Sequence, residues 1–153
     1  MTAILEPQII FTDEQLLILD KPAGWLTHPS GHSQSPLIPS VTEWLIAHYP
    51  SLAAIGEPER LQTGEVIPRA GILHRLDRET SGALLIVKNQ RAFFVIKKQF
   101  QKNTVRKVYH AFVYGRVKND DGLIDRPIAR SRTNPVLWSA TRGRKGEDRE
   151  AIT

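Results

Sequence analysis

One short segment of the chain concentrates residue types that do chemistry. Residues 71–82 read GILHRLDRETSG and place Asp77 between two arginines, Arg75 and Arg78, in a polar loop. Guanidinium groups favour the charged form of a nearby carboxylate, so Asp77 is expected to act as a nucleophile or base rather than as an acid. The Thr80 hydroxyl adds a hydrogen-bond donor. The same spacing also suits a structural ion pair that holds the loop, and this alternative stays open.

The residues around this segment argue against three other kinds of site. A metal site at His74 and Asp77 has no further ligand at useful local spacing, and the adjacent arginines would repel a cation. A kinase catalytic loop requires a Gly-rich loop and Asp-Phe-Gly, and a serine hydrolase of the elbow type requires Gly-x-Ser-x-Gly, none of which is present. The 153 residues include no cysteine, which excludes disulfides, thiolate zinc sites and cysteine nucleophiles. We expect neither a metal nor an organic cofactor.

Hydrophobic periodicity predicts the elements that position this loop. Apolar runs separated by a polar turn predict two strands, at residues 9–11 and 16–20, and a fully apolar run predicts a buried strand at residues 83–87. The alternating residues 107–113 predict another strand. Ser40 and Glu43 form a capping box that begins a helix, which Pro50 ends, and residues 91–101 are typical of an amphipathic helix with a basic outer face.

The remaining stretches are less regular. Residues 29–39 and 51–70 lack periodicity and predict loops, and the polar tail from Asp120 onward predicts a hairpin. Strands, a helix, a strand and a hairpin together indicate an α+β fold with a mixed, mainly antiparallel sheet and flanking helices. The three tryptophans are expected to pack in the interior; they are Trp25, Trp44 and Trp138.

The net charge of +5 hides a strong asymmetry along the chain. Residues 1–87 carry 5 basic and 10 acidic side chains, net −5, whereas residues 88–153 carry 16 basic and 6 acidic ones, net +10. The basic half points to a polyanionic partner, and a solubilising surface without a partner is the alternative. No apolar run is long enough to span a membrane and the first residues lack a basic signal region, so a soluble, cytoplasmic protein is expected.

Four ordered motifs resemble the RluA-type pseudouridine synthases. Residues 71–85 are similar to the family signature H-R-L-D-x-x-T-S-G with its apolar continuation. Residues 19–29 resemble the N-K-P-x-G…H-P segment, with Asp20 where Asn is common. Residues 107–115 are similar to K-x-Y-x-A-x-V-x-G, and residues 122–130 to G-x-I-D-x-P-I-x-R.

The resemblance implies a function and a set of site residues. The protein would isomerise specific uridines of ribosomal or transfer RNA to pseudouridine, with Asp77 as the essential carboxylate, after the target nucleotide has been flipped out of its stack. Tyr109 would lie against the uracil and Arg75 would fill the vacated space. We expect further RNA contacts from four residues, namely Arg78, His74, Thr80 and Lys107.

The residues leave other interpretations open for parts of this assignment. Tyr109 could be a core residue, and His74 and His28 fit loop hydrogen-bond anchors better than participants in the chemistry. The lysines of the predicted 91–101 helix fit either a solvated face or an RNA contact. A non-catalytic RNA-binding remnant of the fold is the main alternative function, and a nucleoside hydrolase that uses the same carboxylate is a second.

The resemblance also carries expectations about domain organisation. It covers residues 9–153 as a single catalytic domain, with no separate N-terminal S4-like RNA-binding module, in a protein expected to be a monomer without a membrane partner. In the family, an Ala-x-Thr like that of residues 151–153 is followed by a strand and an arginine that pairs with the catalytic carboxylate. We therefore expect these residues to be the N-terminal portion of a longer, incomplete fold, and to be poorly stable and inactive alone.

Overall fold

The structure is a computed structural model that describes residues 5–29, 38–60, 64, 66–134, 137–140 and 144–152. The predicted 29–39 loop lies almost entirely outside these residues. The described part forms eight strands, two α-helices and one 3-10 helix. In chain order these are β1 Gln8–Thr12, β2 Leu16–Lys21, α1 Val41–His48, the 3-10 helix Pro50–Ala54, β3 Glu59–Arg60, β4 Val66–Ile67, β5 Gly82–Val87, α2 Gln90–Gln101, β6 Ile128–Ser131, β7 Trp138–Ser139 and β8 Arg144–Arg149.

Three of the predicted strands build the central sheet, in the order β1-β2-β5 with antiparallel neighbours. Alternate residues of β2, Leu17 and Leu19, are buried because they face the core, where they meet Leu84 and Ile86 of β5. β1 lies at the edge of this sheet and is exposed along its whole length. The three strand predictions are confirmed.

Both predicted helices are present and their caps follow the sequence signals. The Ser40 hydroxyl accepts a hydrogen bond from Glu43 N at 3.3 Å, as the predicted capping box requires, and the Glu43 carboxylate accepts from the Ser40 hydroxyl instead of from the backbone N–H that the motif uses. Asn89 caps α2 through Ala92 N at 2.8 Å, and Phe93 of α2 is buried. No helix in the described ranges is long and apolar enough to cross a membrane.

Two predictions from local pattern are wrong. Residues 51–70 are not a continuous loop, because the 3-10 helix packs Leu52 into the core and β3 pairs with β4. Residues 107–113 are not a strand: the structure assigns them no strand and leaves every one of them exposed. A strand needs a neighbour that supplies backbone hydrogen bonds, and alternation alone does not provide one.

Contacts divide the chain into two units, residues 1–108 and residues 109–153. The first unit contains the central sheet, both helices and the buried core. In the second unit β6 lies between β7 and β8, with both pairs antiparallel. The consecutive strands β6 and β7 fit the predicted hairpin, and β8 adds a third strand that was not predicted. β8 was not anticipated as a strand, since its six residues, RKGEDR, have no apolar pattern.

Among the described glycines, Gly71 has the least room for a side chain. Its φ is +72°, and a Cβ there would lie 2.1 Å from the Val87 carbonyl oxygen. Gly71→Ala should therefore lower the free energy of unfolding by about 3 kcal/mol or more, measured by urea unfolding. Gly122→Ala is the matched control, because a Cβ at Gly122 meets open space. A Gly71→Ala protein as stable as the control would contradict the prediction.

Candidate active site

The Asp77 loop, residues 71–82, is fixed at its beginning by backbone contacts. Gly71 N donates to Ile55 O at 2.9 Å, and Val87 N donates to Gly71 O at 3.0 Å. Ile72 then forms a bridge with Ile86 of β5. The loop thus leaves the core beside the strand that it enters eleven residues later at Gly82.

Leu76 and Thr27 hold the middle of the loop. The Leu76 side chain is buried in the core. The hydroxyl of Thr27, itself buried, donates to Leu76 O at 2.7 Å and accepts from Leu76 N at 3.2 Å. Leu76 thus points inward, and its backbone N–H and carbonyl are both hydrogen-bonded. Its neighbours Arg75 and Asp77 lie on the outside of the loop, and both are exposed.

Lys21 ties the far side of the loop to the turn that follows β2. Its side chain is 0% exposed. The ammonium donates to three backbone carbonyls, Pro22 O at 3.1 Å, Trp25 O at 2.9 Å and Arg78 O at 3.2 Å. Burial lowers the pKa of Lys21, and the negative charges of Glu79 and Asp77 oppose this shift. A buried cation therefore lies behind the loop.

The Asp77 carboxylate has no bonding partner among the described residues. Its side chain is exposed and forms neither a hydrogen bond nor an ion pair with another described residue, while its carbonyl accepts from Thr80 N at 3.0 Å. The Arg78 guanidinium pairs instead with Glu79, Nε to Oε1 at 2.6 Å. Within the described chain, the structural ion pair that would have been the alternative role for Asp77 is not found.

His74 acts as an anchor of the loop. Its Nε2 accepts a hydrogen bond from Leu85 N at 3.0 Å, which places the ring proton on Nδ1. The ring stacks on Phe100 of α2, with centroids 5.0 Å apart. Burial, then the positive charge of Lys107, lowers the pKa of His74. This confirms the expectation of a hydrogen-bond anchor.

His28 is a second anchor, on the turn that leads to α1. Thr42 donates its hydroxyl proton to Thr27 O at 3.0 Å, so the same hydroxyl accepts from His28 Nδ1 at 2.8 Å. Burial, followed by the positive charges of Arg69 and Arg75, lowers the pKa of His28 to about 4. The imidazole is therefore neutral at physiological pH.

The neutral state of His28 predicts a pH dependence of stability. In the unfolded chain the His28 imidazole binds a proton below about pH 6.5, whereas in the folded chain its pKa is about 4. The free energy of unfolding should fall by up to about 3 kcal/mol as the pH decreases through this window, with His74 contributing in the same direction. Urea unfolding across the window measures the slope, and His28→Gln should flatten it. Parallel curves for the two proteins would show that His28 is not the source.

The remaining predicted site residues differ in exposure. Lys107 is exposed and Thr80 is half-buried. Tyr109 is the first residue of the second unit and is 60% exposed, so the alternative of a core residue is wrong. Its contact with a uracil stays a prediction. Lys97 on α2 forms an ion pair with Glu57. The described residues include no group of three or more His, Asp or Glu side chains arranged to hold a metal ion.

Sequence reasoning did not find two residues that shape this site. Lys21 was recognised only as part of a turn motif, and its bond to Arg78 O joins residues 57 positions apart. Thr27 was recognised in the same motif, and its partner Leu76 is 49 positions away. Such long-range partners leave no local signal in the sequence.

Known proteins are similar to this chain in sequence. The family model for RNA pseudouridylate synthase matches residues 15–151. An uncharacterized RNA pseudouridine synthase of Synechocystis sp. is 36% identical over 146 residues, which cover 95% of this chain and 40% of the relative. Ribosomal large subunit pseudouridine synthase D of Nitrosomonas europaea is 38% identical over 124 residues, covering 80% of this chain and 31% of that protein.

Among solved structures, human RNA pseudouridylate synthase domain containing 1 superposes with a TM-score of 0.68 at 18% identity, over 96% of this chain and 50% of that one. This likeness shows the fold, and it confirms the α+β class expected from the sequence. The chain spans less than half the length of the two curated relatives. With a family model that extends over most of its residues, the chain belongs to the RNA pseudouridylate synthase family.

Proposed function

We propose that the protein is an RNA pseudouridine synthase in which Asp77 is the essential carboxylate. The observation that carries this proposal is the state of Asp77: an exposed carboxylate without a described partner, on a loop held by Thr27, Lys21 and His74. A loop fixed so firmly around an unpaired acid positions a reactive group rather than a structural one.

The reaction needs few protein groups. The bond between C1′ and N1 of the uridine breaks, the detached uracil turns, and a bond forms between C1′ and C5. C5 then loses its proton and N1 gains one, so no atom is added or removed overall. A carboxylate assists by attacking the sugar or by stabilising its developing positive charge.

The other site residues receive roles that match their surroundings. Arg75, exposed beside Asp77, would fill the space that a flipped nucleotide leaves, and Tyr109 would stack on the uracil. Arg78, Thr80 and Lys107 would contact the RNA backbone. His74 is assigned as a positioning residue, because its Nε2 already accepts from Leu85 N and its ring is stacked.

Pseudouridine maps of ribosomal and transfer RNA, from cells with and without the gene, test this proposal. We expect one or more uridines to lose modification when the gene is absent. Large-subunit ribosomal RNA is the first substrate to inspect, since a relative is named for it. Identical maps would overturn the enzymatic function and favour the non-catalytic RNA-binding alternative. Release of free uracil from RNA by the protein would indicate the hydrolase instead.

A further inference from the structure

Trp138 departs from the sequence prediction that it packs in the interior. It lies on β7 at the surface of the second unit, and its side chain is 40% exposed. Two guanidinium groups lie over its indole ring. The Arg130 Cζ lies 4.6 Å from the ring centroid and the Arg149 Cζ lies 4.9 Å from it. An exposed aromatic ring with two cations against it differs from a core tryptophan.

Strand register places these side chains on one face of the sheet. Arg130 on β6 pairs directly with Trp138 on β7 and with Lys145 on β8, and directly paired residues of antiparallel strands point to the same side. Arg149 reaches the same indole from β8. Ala129, next along β6, points the other way and is buried. The Trp138 face is defined here as Arg130, Trp138, Lys145 and Arg149, and all four are exposed.

The composition of this face selects a partner that is both anionic and aromatic. The second unit carries nine basic and six acidic side chains, net +3, and two of the acids, Glu147 and Asp148, lie on β8 between Lys145 and Arg149. A guanidinium that stacks on an aromatic ring directs its N–H donors along its own plane, where they suit phosphate oxygens. Unpaired bases stack on aromatic rings and on guanidinium planes.

We propose that the Trp138 face binds a single-stranded segment of RNA, with bases stacked on the Trp138–arginine cluster and phosphates contacted by Arg130, Lys145 and Arg149. The inference rests on the proposed function for the choice of RNA, and it adds a contact surface that the chemistry at Asp77 does not require. Single strands are favoured over duplexes because the faces of paired bases are covered by their neighbours.

Fluorescence anisotropy of a labelled, uridine-rich RNA of about 12 nucleotides tests the surface on the protein and its variants. Trp138→Ala should weaken binding about tenfold, whereas Trp138→Phe, which keeps an aromatic ring, should stay within about threefold. Arg149→Gln should reduce the dependence of log Kd on log salt by about 0.7, the value for one phosphate contact in a single strand. Arg116→Gln removes the same charge from an exposed residue outside the face and is the matched control.

Three results would overturn the inference. These are a Trp138→Ala protein that melts normally and binds with unchanged affinity, equal losses of affinity for Arg149→Gln and Arg116→Gln, and equal affinity for a duplex of the same sequence.

Photocrosslinking is a second test. RNA that contains 5-bromouridine should label Trp138, and a crosslink map without residues of the face would count against the inference. RNA affinity and the cellular pseudouridine maps are separate readouts, so failure of this surface and failure of the enzymatic proposal can be told apart.

Discussion

Asp77→Asn should abolish pseudouridine formation while RNA affinity stays within about twofold of the original. The substitution keeps the size and shape of the side chain, but it removes the negative charge that the proposed step on the sugar requires and replaces one acceptor oxygen by an NH2 donor. Loss of a nucleophile or charge-stabilising carboxylate typically lowers the rate by about 10⁴-fold or more. Stability should not change, because the carboxylate is exposed and forms no hydrogen bond or ion pair with the described residues.

Complementation provides the measurement. Cells that lack the gene receive either the Asp77→Asn or the unchanged protein, and the affected uridines are mapped. Asp20→Asn is the matched control: Asp20 is also exposed, the chemical change is identical, and Asn is common there in the family that the sequence resembles. Restored modification by Asp77→Asn would refute the role of this residue, and loss of modification by both variants would point to a general effect of charge.

Lys21→Met should be the most destabilising change of a charged residue in the first unit. Met fills a similar volume but donates no hydrogen bond, so the carbonyls of Pro22 and Trp25 lose the ammonium, and Arg78 O keeps only Gly24 N at 2.8 Å. A buried carbonyl left without a donor costs about 1–3 kcal/mol. We therefore expect the free energy of unfolding to fall by about 3 kcal/mol or more, relieved in part because the buried charge is also removed.

Urea unfolding measures this loss, and Lys88→Met is the control. Lys88 also bonds to a backbone carbonyl, that of Asp13, but at an exposed position where water can replace it. It should cost less than about 1 kcal/mol. In complementation, Lys21→Met should lower pseudouridine formation more at high than at low growth temperature, because it loosens the loop without touching its reactive group. Equal stability of the two variants would contradict the anchoring role of Lys21.

The parts of the fold that follow from local pattern could be predicted. Leu17 and Leu19 alternate toward the core, and Ser40 with Glu43 begins a helix through contacts three residues apart. The prediction of a strand at residues 107–113 was wrong. Alternating side chains indicate that the two sides of a segment differ, but they do not show that a neighbouring strand is present to pair with it. β8 was missed for the opposite reason: its polar residues pair with β6, and backbone pairing does not require apolar side chains.

The site was predictable in composition but not in geometry. The cluster of Arg75, Asp77 and Arg78 was visible in the sequence, and flanking charge suggested an ion pair as an alternative. The structure instead pairs Arg78 with Glu79, a choice between adjacent acids that depends on how the turn directs each side chain. The exposure of Trp138 was equally hidden, since residue type alone favours burial for an indole.

The three acceptors of Lys21 have a consequence for how this protein can evolve. All are main-chain carbonyls, so the bond from Lys21 to residue 78 does not depend on which side chain occupies that exposed position. Mutation at Arg78 can therefore alter what the loop touches without altering where the loop lies. The backbone carbonyl of Arg78 holds the loop in place, and its side chain determines what the loop contacts. Substitutions at this position can therefore change specificity without first losing the fold.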